Sequence, residues 1–143
     1  MADTKGDQRK RLRRHPLTIQ RDCSLGVITF ENLEKTDHRV MVVDLSATGI
    51  GIESEGQIKP GIIWFKDSVY GQKCGVLVWS QNNGLRYRAG IQFINLNQTE
   101  EECLRQQIEG AQQCTSLLDS QQVVATLIDS IRKDRMESIN SQA

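Results

Sequence analysis

The sequence predicts a mainly β protein, a small six-stranded antiparallel barrel followed by C-terminal helices. Three observations predict it. Apolar and polar residues alternate in short runs over the first two thirds of the chain, turn residues separate those runs, and the periodicity becomes helical after residue 97. At 143 residues the chain is long enough for one domain with a hydrophobic core and short for two.

The first run sets Leu17, Ile19, Arg21, Cys23 and Leu25 against Thr18, Gln20, Asp22 and Ser24, a half-buried strand with one polar lapse at Arg21. It continues through Val27-Ile28-Thr29-Phe30. Asn32 to His38 reads as a polar connection, Arg39 to Leu45 as the second strand and Gly49 to Glu53 as the third. Gly56 and Pro60-Gly61 punctuate the next turn, Ile62 to Phe65 is the fourth strand, and a loop follows through Asp67 and Gly71. The strongest local signal is a hairpin. Gly75 to Trp79 and Leu85 to Phe93 flank Asn83-Gly84, a pair that tolerates positive φ in a tight turn.

Thr99-Glu100-Glu101-Glu102 then has the form of a capping box, with acids at the positive end of a helix dipole, and Leu104, Ile108 and Ala111 mark one apolar side. A second helix is expected from near Ser116 or Asp119. Its stripe is Val123, Val124, Leu127, Ile128 and Ile131, and Arg132-Lys133 complements its C-terminal dipole. The stripe reads either as a packing face for the barrel or the first helix, or as a docking face for a partner. The expected organisation is a flexible basic arm over 1–15, a barrel over 16–96, helices over 97–139 and a polar tail over 140–143.

Composition excludes several function classes. No apolar run approaches the roughly 20 residues of a membrane-spanning helix. Met1 to Arg14 lacks the apolar core of a secretory signal, so cytoplasmic residence is the expectation. Cys23, Cys74, Cys103 and Cys114 form no C-x-x-C pair and, with only His15 and His38, make a poor zinc set; they read as structural thiols. No G-x-S-x-G, H-E-x-x-H or G-x-x-x-x-G-K occurs, both histidines lie in polar segments, and Gly49-Ile50-Gly51 is too short for a dinucleotide fingerprint. No enzyme, metal site or cofactor is expected.

Net charge is zero but unevenly spread. Residues 1–14 carry six cations (Lys5, Arg9, Lys10, Arg11, Arg13, Arg14) against Asp3 and Asp7, hence +4, and the remainder carries −4. A basic arm on an acidic body suggests an anionic ligand. A nucleic-acid-binding barrel is one reading, but such proteins carry a basic face beyond the arm and aromatics for stacking, whereas this body is acidic and the chain has seven aromatics.

Two features carry the binding chemistry. One is the cluster Arg9-Lys10-Arg11-Leu12-Arg13-Arg14. The other is Asp44-Leu45-Ser46-Ala47-Thr48-Gly49, where Asp and Ser can bond the local backbone and Gly permits a turn that other residues avoid. Together they resemble the signature of the PilZ family, R-x-x-x-R followed further along the chain by [D/N]-x-S-x-x-G. Arg9 and Arg13 fit the first half, and Asp44, Ser46 and Gly49 the second. Gly75 to Trp79, the Asn-Gly turn and Tyr87-Arg-Ala-Gly90-Ile-Gln-Phe93 resemble the closing hairpin of that family, and Glu100 onward its following helix. The spacing to Pro16 and Leu17 equally aligns Lys10 and Arg14 with the signature arginines, so the register of the motif stays open, with Arg14 a contributor in either case.

The resemblance implies a single-domain bacterial receptor for the messenger cyclic di-GMP, acting on an effector protein in motility, surface attachment, polysaccharide output or virulence; a nucleotide-independent adaptor of the same family is the alternative. The chemistry agrees. Cyclic di-GMP offers two phosphodiester charges and two guanines, and a planar Arg fork fits either a guanine O6/N7 edge or a phosphate. On this reading Asp44 accepts from guanine N1–H and the 2-amino group, and Ser46 donates to a phosphate or holds the turn. Gly49 removes a side chain that would collide with ligand, and Trp79 either stacks on a guanine or fills the core. Ordering the arm costs about 1–2 kcal/mol per residue, so it is expected to become fixed when ligand arrives.

Overall fold

The computed structural model describes residues 15–110 and 117–142, with the side chains of 17–19, 117–119 and 134–142 left aside. The opening alternation forms β1 (His15–Thr29), followed by β2 (Lys35–Leu45), β3 (Gly49–Ser54), β4 (Gly61–Val69), β5 (Gln72–Asn82) and β6 (Tyr87–Phe93). The strands are antiparallel and close into a barrel in the order β1-β2-β3-β6-β5-β4. Two helices follow, α1 (Gln98–Glu109) and α2 (Leu117–Gln142).

One side of each strand fills the barrel. Leu25, Val42, Ile50, Ile52, Ile63 and Leu77 have no solvent exposure, and Ile58, from the β3–β4 connection, is buried with them. Burying each such side chain contributes about 1.5–3 kcal/mol relative to leaving it exposed. Arg21 has the inward parity of Cys23 and Leu25 but is exposed, and its guanidinium lies 5.9 Å from the Tyr70 ring centroid. That accounts for the polar lapse.

A second core lies outside the barrel wall. Ile28, Ile62, Trp64 and Cys74 project outward from β1, β4 and β5 and meet Leu104 and Ile108 of α1 and Val124 and Ile128 of α2. Trp64 Nε1 donates to Glu109 Oε2 at 2.7 Å. Leu127 and Ile131 pack against the same cluster, so the stripe of α2 is a packing face for barrel and helix, not a free docking face.

Several local expectations are corrected. The β1–β2 connection is shorter than Asn32–His38, because Leu25–Ile28 pair with His38–Lys35 and extend β2 backward. The loop expected through Asp67 and Gly71 is instead a tight turn at Tyr70 (φ 51°) and Gly71 (φ 78°), two consecutive positive-φ residues joining Val69 to Gln72. At the other hairpin Asn82 pairs with Tyr87, so the turn is a four-residue loop, Leu85 is fully exposed, and only Gly84 takes positive φ. The cap of α1 is Asn97, whose side chain accepts from Glu100 N at 2.8 Å while Glu100 Oε1 accepts from Asn97 N at 3.0 Å. It lies two residues before the expected Thr99, and Glu102 pairs with Arg105 instead. Arg132 does not serve the end of α2, which continues to Gln142; it donates to Phe30 O at 3.1 Å. The expected tail over 140–143 is helical as far as Gln142, no Gly or Pro interrupting the segment. His38, although it lies in a polar segment, is half-buried beside Thr36 Oγ1 at 2.9 Å.

Cys23 and Cys74 are buried free thiols, and Cys103 is half-buried and free. Burial pushes both Cys23 and Cys74 up from 9.0 to about 11, since a thiolate there loses its hydration. Unfolded thiols ionise above about pH 9 while these stay protonated, so the fold is expected to lose stability between about pH 9 and pH 11 and not below. At pH 8 both should resist a thiol reagent in the native protein and react once urea unfolds it, as peptide mass spectrometry would reveal; rapid native labelling of Cys23 or Cys74 would contradict their burial.

Candidate functional site

The β2–β3 turn is built around Ser46. Its N–H donates to Gly49 O at 2.9 Å, and its hydroxyl oxygen accepts from Gly49 N at 3.1 Å and Thr48 N at 3.4 Å. Ser46 therefore holds the turn. The fold by itself requires Gly49 to be bare: a Cβ there would lie 2.1 Å from Ile91 O on β6. The neighbouring strand already occupies that space.

Asp44 and Trp79 owe their direction to irregularities in the sheet. Val42 faces the interior, and strict alternation would turn Asp44 inward too. A register shift between Val42 and Asp44 sets Asp44 opposite Gly51 instead. Likewise Leu77 faces inward, and a shift between Leu77 and Trp79 sets Trp79 opposite Gly90. One extra residue in each strand re-aims the next side chain to the outer wall. Trp79 is accordingly 38% exposed; Trp64, at 6%, is the core tryptophan.

The two re-aimed residues lie on one line across the wall. Pro16 pairs with Asp44, Asp44 with Gly51, Gly51 with Gly90, and Gly90 with Trp79. Strands are about 4.8 Å apart, so Asp44 and Trp79 are separated by about 14 Å of sheet. Both side chains lean over the glycines between them. A Cβ on Gly51 would lie 2.4 Å from Asp44 Oδ1, and one on Gly90 would lie 2.2 Å from Trp79 Nε1.

Arg88 completes the constellation and is the side chain that sequence reading missed. Ala89 and Ile91 face the interior, so Arg88 and Gly90 share the outer face of β6. Arg88 Nη2 donates to Asp44 Oδ2 at 2.6 Å, and Arg88 Nε lies 3.9 Å from Glu53 Oε2 without hydrogen-bonding it. Asp44 is 6% exposed, and a buried carboxylate requires such a partner. The strand alternation around Tyr87–Phe93 was the available signal for Arg88. Its link to Asp44, 44 residues away, was not in the pattern.

Arg9, Arg13 and Arg14 lie outside the described residues. Their chain enters at His15, which pairs with Leu45, and at Pro16, which pairs with Asp44. The arm is thus covalently attached beside the line that ends at Trp79. Among the described residues no group of three His, Cys, Asp or Glu could hold a metal ion, and no helix is long and apolar enough to cross a membrane.

The family model for the PilZ domain matches residues 7–110. The chain belongs to the PilZ domain family. No curated protein matches it. The PilZ match spans the arginine cluster, the Asp44–Gly49 turn, Trp79 and Arg88, and ends at Gly110, the C-cap of α1. PilZ domains form a family of cyclic di-GMP receptors and adaptors, a binding module and not a known enzyme family. The second helix, α2, lies beyond the matched PilZ region.

Proposed function

We propose that this PilZ domain is a cytoplasmic receptor for cyclic di-GMP, bound between the arginines of the N-terminal arm and the outer-wall line Asp44–Gly51–Gly90–Trp79. The observation that carries this reading is the pairing of Pro16 with Asp44, which roots the arm beside that line. A chain spans at most about 3.5 Å per residue and paired strands are about 4.8 Å apart, so Arg14, Arg13 and Arg9 are all attached within about 30 Å of Asp44. Their guanidiniums take the phosphodiesters and the guanine O6/N7 edges. Asp44, steadied by Arg88, accepts from guanine N1–H and the 2-amino group, which rejects adenine. Trp79 stacks on a guanine. Micromolar affinity corresponds to about 8 kcal/mol, within reach of four or five charged contacts at about 1.5–3 kcal/mol each once binding entropy is subtracted. Ligand binding fixes the arm across the barrel and alters the surface offered to an effector protein.

Calorimetry of cyclic di-GMP against the protein and Arg13→Ala tests the proposal. The protein is expected to bind with defined stoichiometry. Loss of one charged fork, about 1.5–3 kcal/mol, should weaken Arg13→Ala about ten- to hundredfold. Equal heats would remove Arg13 from the site. An absence of binding by the unaltered protein would leave a nucleotide-independent adaptor. Affinity for nucleic-acid polymer that collapses with salt would favour a small nucleic-acid-binding barrel.

A further inference from the structure

The geometry points to Gly90 as the residue that positions Trp79, because only a bare position there lets the indole lie against the outer wall. The inference rests on the reading of Trp79 as a stacking surface. Gly90 occupies an outward position on β6, between inward Ala89 and Ile91, where any other residue would raise a side chain from the wall. A Cβ there would lie 2.2 Å from Trp79 Nε1, 2.6 Å from Cε2 and 2.9 Å from Cδ1. All three atoms belong to the five-membered ring, so the pyrrole half of the indole rests on the Gly90 backbone. The ring cannot stay there if Gly90 gains even a methyl group.

Gly51 repeats the arrangement from the other side. Its Cβ would lie 2.4, 2.5 and 2.6 Å from the Asp44 Oδ1, Oδ2 and Cγ atoms. Gly51 and Gly90 are direct partners across β3 and β6. Carboxylate and indole thus cover the two adjacent bare positions, and a planar base stacks on the solvent side of an indole held in that way. The two register shifts aim the side chains outward, and the two glycines let them lie close to the wall.

A double-mutant cycle separates positioning from general structure. Stacking on an aromatic is worth about 1–3 kcal/mol, so Trp79→Ala should weaken cyclic di-GMP binding roughly five- to hundredfold. Gly90→Ala should weaken it by a comparable factor, and in the Trp79→Ala background it should add almost nothing. Wild-type affinity in Gly90→Ala, or two losses that multiply, would overturn the inference. If Gly90→Ala alone fails to fold, Trp79→Ala/Gly90→Ala should melt like Trp79→Ala, because the clash is with the indole; a double variant that also fails would overturn it. Tryptophan emission without ligand tests the seat by itself. With Trp79→Ala as the blank for Trp64, the Trp79 contribution should shift to the red and quench more readily with acrylamide in Gly90→Ala. An unchanged spectrum would sink the seat whether or not cyclic di-GMP is the ligand, whereas a shifted spectrum in a protein that binds no cyclic di-GMP would sink only the functional reading.

Discussion

Arg88→Ala is expected to destabilise the fold by about 3 kcal/mol, the low end of what breaking a buried ion pair costs. The variant leaves the Asp44 carboxylate, at 6% exposure, without the guanidinium that donates to it at 2.6 Å. The low end applies because the Arg88 side chain is itself one-third exposed, so water can enter where it was removed. Asp44→Ala/Arg88→Ala should recover part of the loss, since the carboxylate that Arg88 serves is then removed as well. Arg88→Lys should fall between, a point charge replacing a planar fork. Urea denaturation measures all three. A loss below about 0.5 kcal/mol, the scale of an ordinary surface substitution, would mean that Asp44 does not depend on Arg88.

Gly49→Ala should cost as much or more, about 3 kcal/mol, because the obstacle is backbone and cannot rotate away. The added methyl would meet Ile91 O at 2.1 Å and Gln92 Cα at 3.1 Å, at the point where β3 pairs with β6. The strands must separate or the turn held by Ser46 must reopen. This result distinguishes two roles for a signature glycine. A variant that melts far below the parent has lost the fold, and any loss of nucleotide binding follows from that. A variant that melts like the parent yet no longer binds would return Gly49 to the ligand.

The sequence made the barrel legible because inward residues alternate over most of each strand, and because turn residues separate the runs. It failed where alternation itself breaks. Trp79 and Asp44 have the wrong parity for the outer wall, and only the extra residue before each turns it outward; nothing in a run such as Gly-Val-Leu-Val-Trp announces that shift. Arg88 was missed for a different reason. Its position on the outer face follows from the period of two, but its partner is distant in sequence, and an outward arginine on a strand is ordinarily solvated. The cap of α1 was misplaced because two overlapping segments, Asn97 to Glu100 and Thr99 to Glu102, both carry the required residue types. The alternatives left for the stripe of α2 were resolved by packing, which periodicity does not encode.

Closure of the barrel also constrains how an effector can be recognised. With β4 paired to β1 through Leu25–Thr29 and Gly61–Phe65, no strand is left with a whole unpaired edge of N–H and C=O groups. An extended peptide therefore finds no full-length edge on which to add itself as a seventh strand. Recognition of an effector then falls mainly to side chains on the wall, to the loops and to the helices, so it responds to changes in surface residues more than to exposed main chain.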